Sequence, residues 1–422
     1  MADMEDYLDN AVIPHSKRPI LLRESTPRLV PGDRAGRGRT RVYCARRRPV
    51  ANVPNEARGV NRRVFVTCDM CRRCIHPLDS ISILGLIGLG ILISFFSGCF
   101  PPSEGVPIAL NEIRYWAYQL QGLDQPGAID VLSDSGYDLL VLEPTNTDVE
   151  SIDFNTRDMV ERLHISAASR IGKTKLVIAY INIGEAEDWR TYWGEDWIAP
   201  TEESAGTPDF MIRPDPDGWS GDYPVAYWDE RWKDIVLYDN DSLVQRALDD
   251  GFDGIYMDWV EAYADDGVVA AAAAAGVDPI VEMVEFIREI RATARTQNPD
   301  FLIIAQNASE LATLDEDYLN VIDAIGQEAV YFDGDPDTIE EGVQGGDVRT
   351  PATGAGYSTA YFEQMLDRYR QAGKVVLTVD YAQEPDNVAE AYRRAAARGY
   401  IPYISLRLLD ALTNTPPAGL GE

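Results

Sequence analysis

Acidic and amide side chains stand where predicted strands end, and they are the residues best suited to chemistry. Asp258 ends a short apolar strand, 252–258, a buried position where an unpaired carboxylate is costly. Six further predicted strands end in or run into such groups: Gln119, Glu143, Glu185, Asn307, Glu328 and Asp380. Two carboxyl groups with different pKa values can cleave a glycosidic bond, one protonating the leaving oxygen and the other acting as nucleophile or base.

Histidine and cysteine are almost absent from the part of the chain that carries these acids. His164 is the one histidine after residue 98, and the five cysteines stand at 44, 68, 71, 74 and 99. Histidine-based metal hydrolysis, serine–histidine catalysis and thiol catalysis therefore lack their usual residues. We expect no metal and no cofactor.

The elements that must position the acids alternate along the chain from residue 107. We predict strands at 114–120, 138–143, 175–183, 252–258, 301–306, 321–327, 374–380 and 400–406. We predict helices at 126–135, 156–170, 240–250, 279–297, 311–318, 358–372 and 386–398. Continuous apolar strands are typical of parallel sheets covered on both faces. Eight alternating units predict an α/β fold, a (β/α)8 TIM barrel over 107–415, with its active site at the carboxyl ends of the strands.

A long insertion of about seventy residues separates the third strand from the fourth, and it is rich in aromatic residues. Tyr227 and Trp228 are candidate stacking platforms for sugar rings. The alternative is that the aromatic residues pack beneath a long loop, as buried aromatic side chains generally do, and we expect about half of them to do so. Ala270–Ala275 predicts the start of a helix or a low-complexity surface insert.

The N-terminal part differs chemically from the rest. Residues 1–98 hold 16 basic and 9 acidic side chains, whereas residues 99–422 hold 22 and 60. Acidity with only four lysines in that second part is typical of a halophilic surface, since salt screens the repulsion. Attraction of a cationic ligand is the alternative. Nucleic acid is excluded as a partner of this part, because phosphate binding needs a basic face.

An uncharged apolar run within 79–99 predicts either a lipoprotein-type signal peptide or a membrane anchor. Small residues precede Cys99, which would then carry the lipid. In that case Met70 is the true start, and the basic segment 1–78, which we expect to be disordered, is partly an artefact of an upstream start. A signal-anchor helix behind a basic arm is the alternative. Both place the enzyme outside the cytoplasm, on the outer face of the cell membrane.

Four segments in order resemble the motif series of glycoside hydrolase family 114. They read YINIGEAEDWRTYW (180–193), YPVAYWDERW (223–232), GFDGIYMD (251–258) and IGQE (325–328). The resemblance spans about 112–410 and implies an endo-α-1,4-polygalactosaminidase-like barrel. It also implies that Asp258 and Glu328 are the catalytic pair, which we interpret as nucleophile and general acid/base of a retaining mechanism.

The same comparison suggests which residues position the substrate: Tyr118, Glu143, Tyr180, Glu185, Tyr227, Trp228, Asn307, Asp380 and Tyr381. Three glutamates are rivals for the second catalytic carboxylate. They are Glu185, Glu310, which we expect to start a helix, and Glu187, which we expect at the surface. The expected partner is a polysaccharide that carries α-linked galactosamine-type sugars.

Two other functions compete with this one. The first is a non-catalytic carbohydrate-binding envelope protein on a barrel scaffold, which would keep the aromatic residues but need no acid pair. The second is an amidase or deacetylase of the same polymer. The scarcity of histidine and cysteine counts against the second.

Overall fold

Eight parallel strands form the central sheet, and their order in the sheet is their order in the chain. The computed structural model describes residues 106–334, 346–354 and 356–413. The strands are β1 Trp116–Gln119, β2 Leu139–Leu142, β3 Leu176–Asn182, β4 Gly254–Asp258, β5 Leu302–Gln306, β6 Ala324–Glu328, β7 Val375–Tyr381 and β8 Ile401–Ser405. All eight predicted strands are confirmed, each within three residues of its predicted bounds.

Hydrogen bonds bring the first and last strands of this sheet together. The Trp116 indole of β1 donates to the Ile401 carbonyl of β8 at 2.8 Å. Beyond the strands, the Leu120 and Gln121 amides both donate to the Leu409 carbonyl. The sheet therefore curls into the predicted barrel, and the carboxyl ends of all eight strands lie on one face.

Helices follow most of the strands, as in other (β/α)8 barrels. They are α1 Ala128–Asp134, α2 Thr156–His164, α3 Glu230–Lys233, α4 Leu243–Asp249, α5 Asp266–Ala275, α6 Pro279–Gln297, α7 Leu311–Leu314, α8 Tyr318–Val321, α9 Thr359–Gln371 and α10 Pro385–Arg398. A π-helical turn, Asp234–Tyr238, continues α3, and short 3-10 turns cover Leu110–Glu112, Thr145–Thr147 and Val260–Ala264. The alanine run forms the second half of α5.

Two predicted helices are wrong in their extent. The helix predicted at 311–318 is two separate turns, because Asp315 has an extended backbone and its side chain accepts the Asp317 amide at 2.8 Å. The helix predicted at 156–170 ends at His164, and the Ser166 hydroxyl donates to the Leu163 carbonyl at 2.6 Å. Both are cases in which a short polar side chain offers the backbone an alternative to the helix.

The barrel interior is filled by aromatic side chains. The Tyr118 ring lies 5.3 Å from that of Tyr256 and 6.3 Å from that of Tyr180, and the Trp116 ring lies 6.0 Å from that of Tyr403. These large residues close the core directly beneath the strand ends that carry the acids.

Acidic side chains at the amino ends of the strands stabilise the fold by accepting hydrogen bonds from backbone amides. Asp138 accepts the Arg114 amide at 2.8 Å and the Ser169 amide at 2.8 Å. Asp323 likewise accepts the Ile303 amide at 2.9 Å. Such carboxylates tie neighbouring chain segments together, as expected of the stability face of a barrel.

The insertion between β3 and β4 contains a two-stranded antiparallel sheet, and its first strand follows directly after β3 at the carboxyl face. Glu185–Glu187 pairs with Asp222–Pro224. A second antiparallel pair, Phe332–Asp333 with Val348–Arg349, follows β6.

Among the described residues, no single helix is long and apolar enough to cross a membrane, although the bent pair α5–α6 passes the same test of length and composition. The predicted segments 1–78 and 79–99, including Cys99, lie outside the described residues.

Candidate active site

Asp258 is the last residue of β4, and both of its carboxylate oxygens are bonded. The Tyr180 hydroxyl, from the adjacent strand β3, donates a short hydrogen bond to Oδ2. The Trp259 amide donates to Oδ1 at 2.8 Å. Burial, followed by the negative charge of Glu328, raises the pKa of Asp258 to about 7. The two carboxyl groups are therefore close enough to influence each other's ionisation.

Glu328 is the last residue of β6, and four side chains surround its carboxylate. Gln306 Nε2 and Asn307 Nδ2 donate to Oε2 at 2.8 and 3.2 Å. The Tyr381 hydroxyl donates a short hydrogen bond to Oε1, and Arg407 Nη1 lies 3.6 Å from the same oxygen. This set fixes the carboxylate in position. It also supplies a cation on one side only.

The tyrosines that touch the acid pair act as donors. Burial is the largest cause raising the pKa values of Tyr118, Tyr180 and Tyr381 well above their ordinary value. All three hydroxyls therefore keep their protons at neutral pH and can donate hydrogen bonds. Tyr118 extends the network, since its hydroxyl donates to Gln306 Oε1 at 3.2 Å.

The backbone is strained immediately after three of these strands. Trp259, Asn307 and Ala329 have φ values of 56°, 54° and 53°, in the left-handed region that residues other than glycine rarely adopt. Each such residue costs on the order of 1–3 kcal/mol, and such strain clusters at functional sites. The turn at Trp259 points its amide at the Asp258 carboxylate. The turn at Asn307 lets one side chain bond both the amide and the carboxylate of Glu328.

A third carboxylate, which sequence reasoning missed, lies in the same centre. Glu261 Oε1 accepts Asn307 Nδ2 at 3.2 Å, and its buried Oε2 has no partner among the described residues. Burial, followed by the charge of Asp258, raises the pKa of Glu261 well above its usual range. Its position three residues after Asp258 was the available signal. The turn that folds it back towards Asp258 was not visible in the sequence.

Arg407 and Trp219 form the side of the site next to Glu328. The Arg407 guanidinium lies 4.9 Å from the centre of the Tyr381 ring and 5.6 Å from that of Trp219. Trp219 belongs to the insertion and is 44% exposed, unlike most large apolar side chains here. An open aromatic face beside the acid pair is a platform on which a sugar ring can stack. Neither residue was among our predicted site residues.

Glu185 lies beside the Asp258 end of the site. Its Oε2 accepts Asn182 Nδ2 at 3.1 Å, and Asn182 Oδ1 in turn accepts the Glu185 amide at 2.9 Å. Burial, followed by the charges of Asp222 and Asp215, raises the pKa of Glu185 well above its usual range. These two aspartates come from the insertion, and nothing in the sequence had marked them.

Two predicted substrate residues are bound to protein groups. Glu143 receives a short hydrogen bond from Arg190, which also donates to Glu187 at 2.6 Å. Glu187 is 4% exposed, so our expectation of a surface position is wrong. Asp380 is fully buried and accepts the Tyr331 and Phe332 amides at 2.5 and 2.9 Å. Substrate contact by Glu143 or Asp380 stays a prediction.

The two aromatic candidates lie against α6. Tyr227 is fully buried, and its hydroxyl donates to the Pro279 carbonyl at 2.5 Å. Trp228 is half-buried and packs edge to face on Tyr227, with ring centres 5.1 Å apart. Tyr227 thus has a packing contact in place of the substrate contact we predicted, because its ring and hydroxyl are both enclosed. Trp228 keeps an open edge, and its role stays a prediction.

The rival carboxylate Glu310 is engaged elsewhere. It precedes α7 as predicted, and it accepts the Tyr263 hydroxyl at 2.6 Å.

Within the described ranges, no group of three or more histidine, cysteine, aspartate or glutamate side chains has the arrangement of a metal site.

Two carboxyl groups at strand ends on the carboxyl face of a barrel are the groups that glycoside hydrolysis needs, on the face where barrel enzymes work. The profile of glycoside-hydrolase family GH114 matches residues 108–419. The chain belongs to this family and is a glycoside hydrolase by class.

The chain is similar to proteins of other organisms in sequence and to solved structures in coordinates. An uncharacterized protein of Deinococcus radiodurans is 34% identical over 327 residues, 75% of this chain and 90% of its own. The glycoside hydrolase domain of PelA from Pseudomonas aeruginosa has 15% identity and a TM-score of 0.46, covering 72% of this chain and 98% of that one. Ega3 of Aspergillus fumigatus, solved in complex with galactosamine, has 14% identity and a TM-score of 0.46, covering 75% and 97%.

Proposed function

We propose that this enzyme cleaves α-1,4-linked galactosamine-type polysaccharide by a retaining mechanism. Asp258 is the nucleophile, and Glu328 is the general acid and base. The observation that carries this proposal is the pair itself, two carboxylates on alternate strands whose charges raise a pKa in the site. Retention needs one ionised and one protonated carboxyl group.

The pair supplies that state because it resists holding two negative charges. Burial and then the negative charge of Glu328 raise the pKa of Asp258 to about 7, so a proton is held on Asp258 up to near neutral pH. The mechanism requires this proton to lie on Glu328 when the substrate is bound, which leaves Asp258 ionised. The Tyr180 hydroxyl and the Trp259 amide then stabilise the Asp258 carboxylate.

Two steps complete the reaction. Glu328 gives its proton to the glycosidic oxygen as an Asp258 oxygen bonds to the anomeric carbon and the bond to the leaving sugar breaks. Water then gives a proton to Glu328 and attacks the same carbon, releasing Asp258. Tyr381 and Arg407 hold the Glu328 carboxylate in place for both proton transfers.

The substrate class rests on the motif resemblance and on the acidity around the nucleophile. The carboxylates of Glu185, Asp215 and Asp222 lie on the Asp258 side of the site. A cationic, partly deacetylated polymer suits such a surface. We also propose that the enzyme is anchored on the outer face of the cell membrane, through Cys99 or an apolar helix, and that its acidic surface is adapted to high salt.

Reducing-end release from partly deacetylated α-1,4-polygalactosamine in multimolar salt tests the function. Wild type should release reducing ends, and Glu328→Gln should not. A carbohydrate-binding protein without activity is the alternative, and it would bind the polymer equally well in both forms. Release from a different glycan and none from polygalactosamine would overturn the substrate but leave the class intact.

A further inference from the structure

Three carboxylates near Asp258 have buried oxygen atoms that receive no N–H or hydroxyl donor from the described residues. Glu185 is 2% exposed and its Oε1 has no partner. Asp215 accepts the Trp219 amide at 2.6 Å through Oδ2, while its Oδ1 is unpartnered. Asp222 Oδ1 is unpartnered as well. Buried carboxylate oxygens without donors are costly unless a ligand or a proton satisfies them.

The charges around these groups are mainly negative. Asp222 faces Glu187, Asp215 and Asp258, while Asp217 also faces Asp215. Arg190 is a cation within electrostatic reach, and it is already bonded to Glu143 and Glu187. Among the described residues, no lysine or arginine forms an ion pair with any of the three. The Glu185 and Asp215 carboxyl groups instead hydrogen-bond to each other, which requires a proton between them.

The cluster belongs to the catalytic cleft. Glu185 and Asp222 both feel the charge of Asp258. The loop that joins Asp215 to Asp222 carries the exposed Trp219, whose ring lies 5.6 Å from the Arg407 guanidinium. One loop thus presents acids near the nucleophile and an aromatic face near the acid/base. A sugar bound in the cleft can meet both.

We propose that Glu185, Asp215 and Asp222 bind the protonated amino group of an aminosugar unit held next to Asp258. The inference rests on the proposed function and names the groups that select its substrate. An ammonium group can replace the proton between Glu185 and Asp215 and offers one N–H donor to each of the three carboxylates, and such charge-assisted bonds are the strong ones. An N-acetylated unit offers one neutral N–H and leaves carboxylates unpaired, which a polar site rejects strongly.

Calorimetric titration of the full-length protein tests this assignment without needing turnover. D-galactosamine is the probe, and D-galactose, which lacks the amino group, is the matched neutral sugar. Glu185→Gln and Asp222→Asn should each weaken galactosamine binding at least tenfold, which is about 1.4 kcal/mol. Galactose binding should change less than twofold. Glu202→Gln, at an exposed position of the same insertion, should change neither, and thermal unfolding checks that each variant is folded.

Several results would overturn the inference. These are equal wild-type affinity for both sugars, no binding of galactosamine, and equal losses for both sugars in the variants. Reducing-end release is then read separately. Release from the polymer with unchanged amine selectivity in the variants would sink the ammonium site and leave the hydrolase standing. Amine binding that the variants lose, without release from any polymer, would support the site and refute the hydrolase.

Discussion

Asp258→Asn should make the protein more stable at pH 8 while abolishing its activity. A folded-state pKa of about 7, against an ordinary value of 3.8, means that the folded protein holds this proton more tightly than the unfolded chain. The loss of folding stability caused by ionising Asp258 is absent below the pKa of the unfolded chain. It grows with pH until the pH passes the pKa of the folded state. The full difference is about 4 kcal/mol at pH 8. Asp258 is half-buried, so solvent screening reduces the expected gain to about 2 kcal/mol.

Denaturant unfolding of wild type and Asp258→Asn at pH 8 and pH 5 measures this gain. At pH 5 the folded carboxyl is already largely protonated, so the difference should fall below about 1 kcal/mol. The Tyr180 hydroxyl can still donate to the amide oxygen of asparagine. Asp153→Asn, at an exposed aspartate far along the chain from the acids, is the control and should change stability at neither pH. A variant that is less stable than wild type at pH 8, or a gain that does not depend on pH, would refute the reasoning.

Three further substitutions probe the groups around the acids. Tyr381→Phe removes a donor to the acid/base carboxylate and should lower kcat about ten- to hundredfold with intact folding; an unchanged kcat contradicts this role. Arg190→Gln leaves two buried carboxylates unpaired and should cost about 3–5 kcal/mol of stability, against under about 1 for the exposed Arg231→Gln; equal melting temperatures would argue against it. Gly326→Ala places a Cβ 2.2 Å from the Tyr256 hydroxyl and should cost about 2–3 kcal/mol. Adding Tyr256→Phe should restore only part of that loss, because two ring carbons stay 2.6 and 2.7 Å from the new Cβ, and no restoration would rule out the hydroxyl as part of the clash.

The strands could be predicted because each is a continuous apolar run ended by a polar residue. That pattern is enough to place Asp258 and Glu328 at strand ends on one face of a barrel. Helix ends were less predictable, since Asp315 and Ser166 redirect the chain through local side-chain bonds. Such competition depends on a few tenths of a kcal/mol and leaves little periodic signal.

The rest of the site could not be predicted, because it depends on turns and loops. Glu261 reaches the centre only through the left-handed turn at Trp259. Asp215 and Asp222 lie in an insertion with no hydrophobic period. The antiparallel pairing of two short strands within that insertion brings them close to Glu185. Tyr227, in contrast, had the composition of a sugar platform but is buried. Residue type alone did not distinguish its packing role from a binding role.

Mass spectrometry of a trapped intermediate tests the central claim most directly. Glu328→Gln, reacted with an α-galactosaminyl fluoride whose departure needs no acid, should accumulate a covalent glycosyl adduct, because the second step lacks its base. Peptide mapping should place that adduct on Asp258. An adduct on another carboxylate, such as Glu261, would contradict the assignment of the nucleophile. Turnover of the fluoride by wild type with inversion at the anomeric carbon would contradict the retaining mechanism itself.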